Sequence, residues 1–388
     1  MSDTEKQNVS RRRFLKTGAG AAASAGLAPL LAGTGRSERD GPNIILIITD
    51  QQHARMLSCA GNEHLDTPAM DSLARTGTRF ERAYCGNPVC LPSRYSMMTG
   101  LLPSAGGYTD NASGRRHTVP DEVLKQGLGW LMREAGYETV YGGKVHLPKG
   151  MNPENIGFNF FCRNQRDGLA REAADFIRAE HDRPFFLVTS FINPHDICYM
   201  AIRDHAGKDY DKLKLGEAVR RPEGVSEAEF YSGHCPPLPE NYEIPPGEPE
   251  AIKKLIRGRP FQQHTRDNWG EREWRLHRWA YCRLTEMVDR QVGVVLEALR
   301  ESGQEEDTVV VFTSDHGDQD ASHRLEHKMV LYEESANIPL IISQKGATPA
   351  GHVDRSHLVS NGLDLMPTLC DYAGVEPPEG RQGSSLRP

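Results

Sequence analysis

Two segments far apart in the chain end an apolar run on groups that can hold a cation or exchange a proton. Pro42-Asn43-Ile44-Ile45-Leu46-Ile47-Ile48-Thr49 leads into Asp50, Gln51 and Gln52, and Asp307-Thr308-Val309-Val310-Val311-Phe312-Thr313-Ser314 leads into Asp315, His316 and Gly317. Each run reads as a buried strand that delivers polar groups at its C-terminal edge, where open α/β sheets place ligands. Two such strands can bring the carboxylates together; taken singly, each Asp reads as the cap of the turn or helix that follows. The design recurs where residues 137–141 lead to Gly143-Lys144-Val145-His146, and where Pro184-Phe185-Phe186-Leu187-Val188-Thr189-Ser190-Phe191 leads to Asn193-Pro194-His195-Asp196. Alone, such a Lys is a solvated charge and such a His a hydrogen-bonded structural residue. Between these segments stands Cys90-Leu91-Pro92-Ser93-Arg94, followed by Thr99-Gly100; a bare Cys is more often a buried small hydrophobe than a nucleophile.

The order of these segments, continued by Lys328, Tyr332-Glu333-Glu334-Ser335 and Ile338-Pro339-Leu340-Ile341, resembles the sulfatase family from about Asn43 to the C-terminus. The pentapeptide at Cys90 matches that family's C-x-P-S-R signature, whose cysteine is oxidised enzymatically to formylglycine. The resemblance implies an alkaline-phosphatase-like α/β/α sandwich with a mostly parallel sheet and hydrolysis of sulfate esters, on a sulfated carbohydrate or an aryl or alkyl sulfate. It implies a hydrated formylglycine at position 90: one hydroxyl attacks sulfur, and the other later loses its proton to expel sulfate, dividing one hard displacement into two easier ones.

By the same resemblance, the ligands of one divalent cation are Asp50, Gln51, Asp315 and His316, with the modified Cys90. Calcium suits the oxygen donors; the imidazole of His316, where many relatives have Asn, admits manganese. Arg94 is expected to order the nucleophile, Lys144 and Lys328 to neutralise sulfate, His146 to serve as base and His195 as acid. Val145 and Cys198 depart from the family pattern, which commonly has Trp and Pro there, without removing a reacting group.

Composition sets the frame. With 388 residues, 38% of them hydrophobic, the chain can bury a large core. A net charge of −7 and no dominant basic stripe give no sign of nucleic-acid binding, while a local cluster of Lys and Arg can still attract an anionic substrate. Ser10-Arg11-Arg12-Arg13-Phe14-Leu15-Lys16 resembles a twin-arginine export signal, and the Ala- and Gly-rich stretch after it is too short for a membrane span. Residues 1–40 are therefore read as signal peptide and short linker, the twin-arginine translocase as a partner and the periplasm or exterior as the destination, without a stable membrane anchor. A formylglycine-generating or anaerobic sulfatase-maturating enzyme is the second implied partner. The eight cysteines lack the spacing of a zinc site or a disulfide scaffold, so most read as buried thiols.

Residues 41–388 form the expected catalytic domain. Thr67 is the expected N-cap of a helix over 68–75, residues 79–84 a strand, and 121–135 one helix. Residues 199–267, polar and Pro-rich, are expected to be an irregular insertion serving as a specificity lid, before a long helix over 271–302. The chain stops at Gly383-Ser384-Ser385-Leu386-Arg387-Pro388, so the antiparallel C-terminal subdomain usual in sulfatases is expected to be absent or truncated. Two other readings stand beside the sulfatase: a phosphonate monoester or phosphodiester hydrolase of the same superfamily, and a non-catalytic binder of sulfated glycans.

Overall fold

The computed structural model describes residues 41–210 and 213–387. The twin-arginine motif lies outside the described residues. The described residues form ten strands in chain order: β1 (Asn43–Asp50), β2 (Thr78–Phe80), β3 (Ala83–Tyr84), β4 (Glu138–Gly143), β5 (Asn159–Cys162), β6 (Phe185–Pro194), β7 (Thr308–Ser314), β8 (Leu340–Ser343), β9 (His352–Asp354) and β10 (Val359–Ser360). Eight form one sheet in the order β5-β4-β6-β1-β7-β8-β2-β9, and β3 pairs with β10. β1 runs parallel to both β6 and β7, and β4 parallel to β5 and β6; β8 is antiparallel to β7 and β2. The four strands that carry polar tips are thus adjacent and parallel, so those tips share one edge of the sheet.

Burial on both faces explains why β1 is apolar from Ile44 to Ile48. Side chains alternate across a strand, so Ile44, Leu46 and Ile48 pack on one side with Met97, Met98, Leu128, Met132 and Leu369. Ile45 and Ile47 pack on the other with Leu73, Ala173, Val288 and Val292. The first face is covered by the helices Cys90–Thr99, Leu128–Glu134 and Asn361–Ala373, the second by Pro68–Thr76, Leu169–Ile177 and Glu271–Glu301. This is the α/β/α sandwich with a mostly parallel sheet that the resemblance implied.

Several local expectations are corrected. Thr67 does hold the N-cap position expected of it, but its side chain makes no cap hydrogen bond. The amides of Ala69 and Met70 donate instead to Asp289 of the long helix, at 3.2 and 2.9 Å, so the side-chain acceptor for the first turn comes from a distant residue. The 121–135 segment breaks into Asp121–Lys125 and Leu128–Glu134, where a side chain on Gly127 would press on Ile156. The 79–84 segment splits into β2 and β3, which join different sheets.

The 199–267 segment is more regular than expected, holding Cys198–His205, Glu250–Arg257 and Pro260–Asn268 among its helices. Two of its prolines stand at helix starts: Pro249 immediately precedes one helix, and Pro260 is the first residue of another, where its missing N–H costs nothing. The long helix spans Glu271–Glu301, with Trp274, Cys282, Val288, Val292, Val295 and Leu299 buried and Met287 and Leu296 half-buried. All eight cysteines are free thiols, seven of them buried.

Candidate active site

The polar cluster grows from the sheet edge. β1 ends on Asp50 and β7 leads into Asp315 and His316, all fully buried. The Cys90–Thr99 helix begins on Cys90, so its unpaired amides and positive dipole end face the same point. Ser93 ties this helix to the β7 tip by donating to the Asp315 carbonyl at 2.6 Å. One turn on, Arg94 donates from Nε to Asp315 Oδ2 at 2.7 Å and from a terminal nitrogen to Asp50 Oδ2 at 3.0 Å. Its other terminal nitrogen reaches Ser190 Oγ at 2.7 Å and the Lys144 carbonyl at 3.0 Å. A single guanidinium thereby joins the tips of β1, β4, β6 and β7.

Cys90 Sγ lies 3.1 Å from His316 Nε2, 3.3 Å from Lys328 Nζ and 3.8 Å from Asp50 Oδ1. Lys144 Nζ pairs with Asp50 Oδ2, and His195 Nε2 stands 3.9 Å from Asp50 Oδ1. His316 Nδ1 donates to the Gly317 carbonyl at 2.9 Å and its Nε2 faces Cys90 Sγ; burial works to lower its pKa, but the charges of Asp315 and Cys90 raise it, which favours the imidazolium in the free protein. Gln51 is held from both ends, its Nε2 donating to Asp318 at 2.6 Å and its Oε1 accepting from Lys328 at 2.5 Å and Cys198 at 2.8 Å. Lys328 itself sits between two residues of left-handed backbone, His327 (φ 68°) and Met329 (φ 86°), a conformation unfavourable for side-chain-bearing residues that functional sites often hold.

Opposed charges set the protonation states. Burial works to raise the Asp50 carboxyl, but Lys144, His195, Arg94 and Lys328 outweigh it and hold it well below the usual carboxylate range. Burial and the Asp50 charge push Asp315 up to about 6. For Cys90, burial and Asp50 favour the thiol, yet Lys144, Lys328 and His316 prevail and bring it well below the ordinary thiol range. Burial, reinforced by Lys328 and Lys144, drives His195 down to about 4. The pocket thus combines two carboxylates with cations on either side, as an anion exchanging groups near a metal requires.

The sequence candidates Asp50, Gln51, Cys90, Arg94, Lys144, His195, Asp315, His316 and Lys328 all contact this cluster. His146 does not: its side chain is exposed at a φ of 43°, and among the described residues none makes a hydrogen bond or ion pair with it. Ser190, Asp318 and the thiol of Cys198 escaped the reading as partners of Arg94 and Gln51. Only Cys198 carried a signal, as a departure from the family pattern.

Asp50, Cys90, Asp315 and His316 place one ligand atom each within 4.8 Å of one another, all buried. Two carboxylates, one of them kept ionised, and an imidazole whose Nε2 faces them fit a single divalent cation, which would displace any proton on that nitrogen.

The comparisons agree with this geometry. The sulfatase family model matches residues 42–375. A Delta 4,5-hexuronate-2-O-sulfatase of Bacteroides thetaiotaomicron is 31% identical over an alignment of 378 positions that covers 92% of this chain and 73% of that protein. The structure of a 2-O GAG sulfatase aligns with a TM-score of 0.74 at 28% identity, over 89% of this chain and 73% of that one. The phosphonate monoester hydrolase of Agrobacterium radiobacter shares the fold, with a TM-score of 0.67 at 22% identity over 89% and 76% of the two chains. With the family model spanning nearly the whole described chain and its signature cysteine at the centre of the cluster, the chain belongs to the sulfatase family, the sulfuric ester hydrolases of the alkaline-phosphatase-like fold.

Proposed function

We propose that this chain hydrolyses sulfate esters on a glycan, with position 90 as nucleophile. The observation that carries the reading is the convergence on Cys90 Sγ of His316, Lys328 and Asp50 within 3.8 Å. Formylglycine, made from Cys90 by a formylglycine-generating or anaerobic sulfatase-maturating enzyme, supplies a hydrated aldehyde whose hydroxyl can attack sulfur. A divalent cation held by Asp50, Asp315, His316 and position 90, with Gln51 beside them, supplies charge neutralisation; calcium is the preferred ion and manganese the alternative.

The chain's own residues do the rest. Arg94 locks the Asp50 and Asp315 carboxylates in place behind the nucleophile. Lys144 and Lys328 offset the negative charge of the sulfate, and a buried ammonium does so more strongly than one in water. His195, beside Asp50, is placed to give a proton to the departing alcohol. His146, at the exposed edge after Lys144, is assigned the base role of the later step. Relatives acting on hexuronate 2-O-sulfate and on N-acetylglucosamine 6-O-sulfate favour a sulfated sugar, with residues 199–267 as the specificity insertion of a 41–388 catalytic domain. The twin-arginine-like motif supports export to the periplasm or beyond, and among the described residues no helix is long and apolar enough to cross a membrane.

Matured, metal-loaded enzyme assayed side by side on 4-nitrophenyl sulfate, sulfated monosaccharides and phenyl phosphonate tests the reading. Higher kcat/KM on sulfate esters supports it. A preference for the phosphonate overturns it in favour of the phosphonate hydrolase, and no turnover at all points to a binding protein.

A further inference from the structure

The helix Pro260–Asn268, the last of the 199–267 segment, is stitched to the loop that carries Lys328. Gln262 Nε2 donates to the Glu326 carbonyl at 2.9 Å, Thr265 Oγ1 reaches Glu326 Oε1 at 3.3 Å, and the Phe261 ring lies 4.9 Å from that of His327. Residues 261–265 therefore grip residues 326–327. The residue that opens this helix is Arg259, whose guanidinium lies against Met329 Sδ. Met329 is the neighbour of Lys328, which holds Cys90 Sγ, and its own amide donates to the Pro88 carbonyl at 3.1 Å, just before the nucleophile's helix.

Arg259 is half-buried, yet no carboxylate among the described residues comes within ion-pairing distance of it. Its two nearest arginine neighbours in the segment differ: Arg257 pairs with Glu250, and Arg266 forms two bonds to Glu248. Burial pushes the Arg259 guanidinium below the usual arginine range, with Cys198 and Asp110 acting the other way but neither pairing with it. A thioether is a weak acceptor for a group with five fixed donors. A partly desolvated guanidinium left in this state gains most from an oxyanion, which it can bind through two parallel hydrogen bonds.

We propose that Arg259 is a specificity-determining residue that binds a second oxyanion of the substrate, a carboxylate or a further sulfate, on the sugar that carries the scissile ester. This rests on the sulfatase reading and narrows it to glycans with at least two anionic groups close together. Arg259 stands outside the reacting atoms, so its effect falls on substrate choice. Its place in the insertion gives residues 199–267 a stated task.

Matched substrate pairs test this with full-length, matured and metal-loaded enzyme. One pair is glucose 2-sulfate and glucuronic acid 2-sulfate; the other is glucosamine 6-sulfate and glucosamine 2-N,6-O-disulfate. Arg259→Gln is expected to lower kcat/KM by about ten- to a hundredfold on the dianionic member of one pair, while leaving 4-nitrophenyl sulfate and the monoanionic sugars within about twofold. The pair that responds identifies carboxylate or sulfate as the second group. Arg259→Lys is expected to restore part of the loss, because charge is kept and the planar fork is not. Equal losses on monoanionic and dianionic substrates, or no loss on either dianion, would overturn the proposal. Wild-type enzyme inert towards every sulfate ester would instead overturn the function on which it rests.

Discussion

Arg94 Nε and Asp315 Oδ2 meet at 2.7 Å with both side chains out of contact with solvent, and the same guanidinium holds Asp50 at 3.0 Å. Removing one partner of such a network leaves buried charge without compensation, which is far more damaging than losing a surface pair. Arg94→Ala is therefore expected to destabilise the metal-free protein by about 3–5 kcal/mol, measured by urea unfolding. A loss of about 1 kcal/mol or less, the scale of an exposed pair, would show that the carboxylates find other partners.

The same two carboxylates, with His316, are the proposed cation site, so metal should raise the protein's own stability as well as its activity. A ligand that binds only the folded state stabilises it by about 2.7 kcal/mol at a hundredfold excess over Kd. Calcium added to chelator-treated protein is expected to raise Tm, and Asp315→Asn to reduce that rise by removing an anionic oxygen. If manganese raises Tm at lower concentration than calcium, the imidazole ligand sets the choice of ion. A Tm indifferent to both would remove the cation from the site.

Cys90→Ala is expected to abolish turnover with little change in the unfolding midpoint, since a thiol is small and its loss opens only a minor cavity. Peptide mass spectrometry of active wild-type protein should find formylglycine at position 90. Full activity in protein carrying only the thiol would rule out the proposed nucleophile.

What could be read from sequence was local. The runs before Asp50, Lys144, His195 and Asp315 announce strands because buried parallel strands are apolar on both faces, and their polar ends stand out against that background. Partners supplied by the folded chain left no such mark. Ser190 is an ordinary strand serine until the Cys90–Thr99 helix brings Arg94 to it, and Asp289 becomes a cap only when its helix crosses the start of Pro68–Thr76. In 199–267 the runs Pro236-Pro237-Leu238-Pro239 and Pro245-Pro246-Gly247 do lie in irregular chain, but they say nothing of the helices on either side, and Pro260, at a first helical position, promotes the turn that follows. Arg259 carries no mark in the sequence, because having no carboxylate partner among the described residues is a property of the packed structure.

Asp289 provides a pH test away from the reacting groups. Burial pushes its carboxyl from 3.8 up to about 6, despite the hydrogen bonds from Met70 and Ala69. The fold thus favours the protonated acid. Below both values the group brings no charge penalty; as pH rises from 3.8 through about 6 the folded state must bury a charge, and a cost approaching about 3 kcal/mol builds up. Asp289→Asn, which cannot ionise and keeps an acceptor oxygen, should gain stability relative to wild type between pH 4 and pH 7.5. A difference in unfolding free energy that stays flat over that window would show that the carboxylate is hydrated or paired in solution.

The two histidines assigned to proton transfer should separate by leaving group. His195 sits within 3.9 Å of Asp50, and burial with Lys328 and Lys144 keeps it neutral above about pH 4 in the free protein. A bound sulfate brings negative charge against those two lysines, which favours the protonated imidazole needed by a general acid. An aryl oxygen leaves readily without a proton, whereas an alkyl or sugar oxygen does not. His195→Ala is therefore expected to lower kcat by about 10²–10⁴-fold on a sugar sulfate and much less on 4-nitrophenyl sulfate. His146, exposed and apart from the cluster, is assigned to a step after the alcohol has gone, so His146→Ala should slow both substrates towards a common rate. Steady-state and burst measurements on the two substrates decide between these roles, and equal losses in both variants on both substrates would leave the histidines with only a shaping part in the pocket.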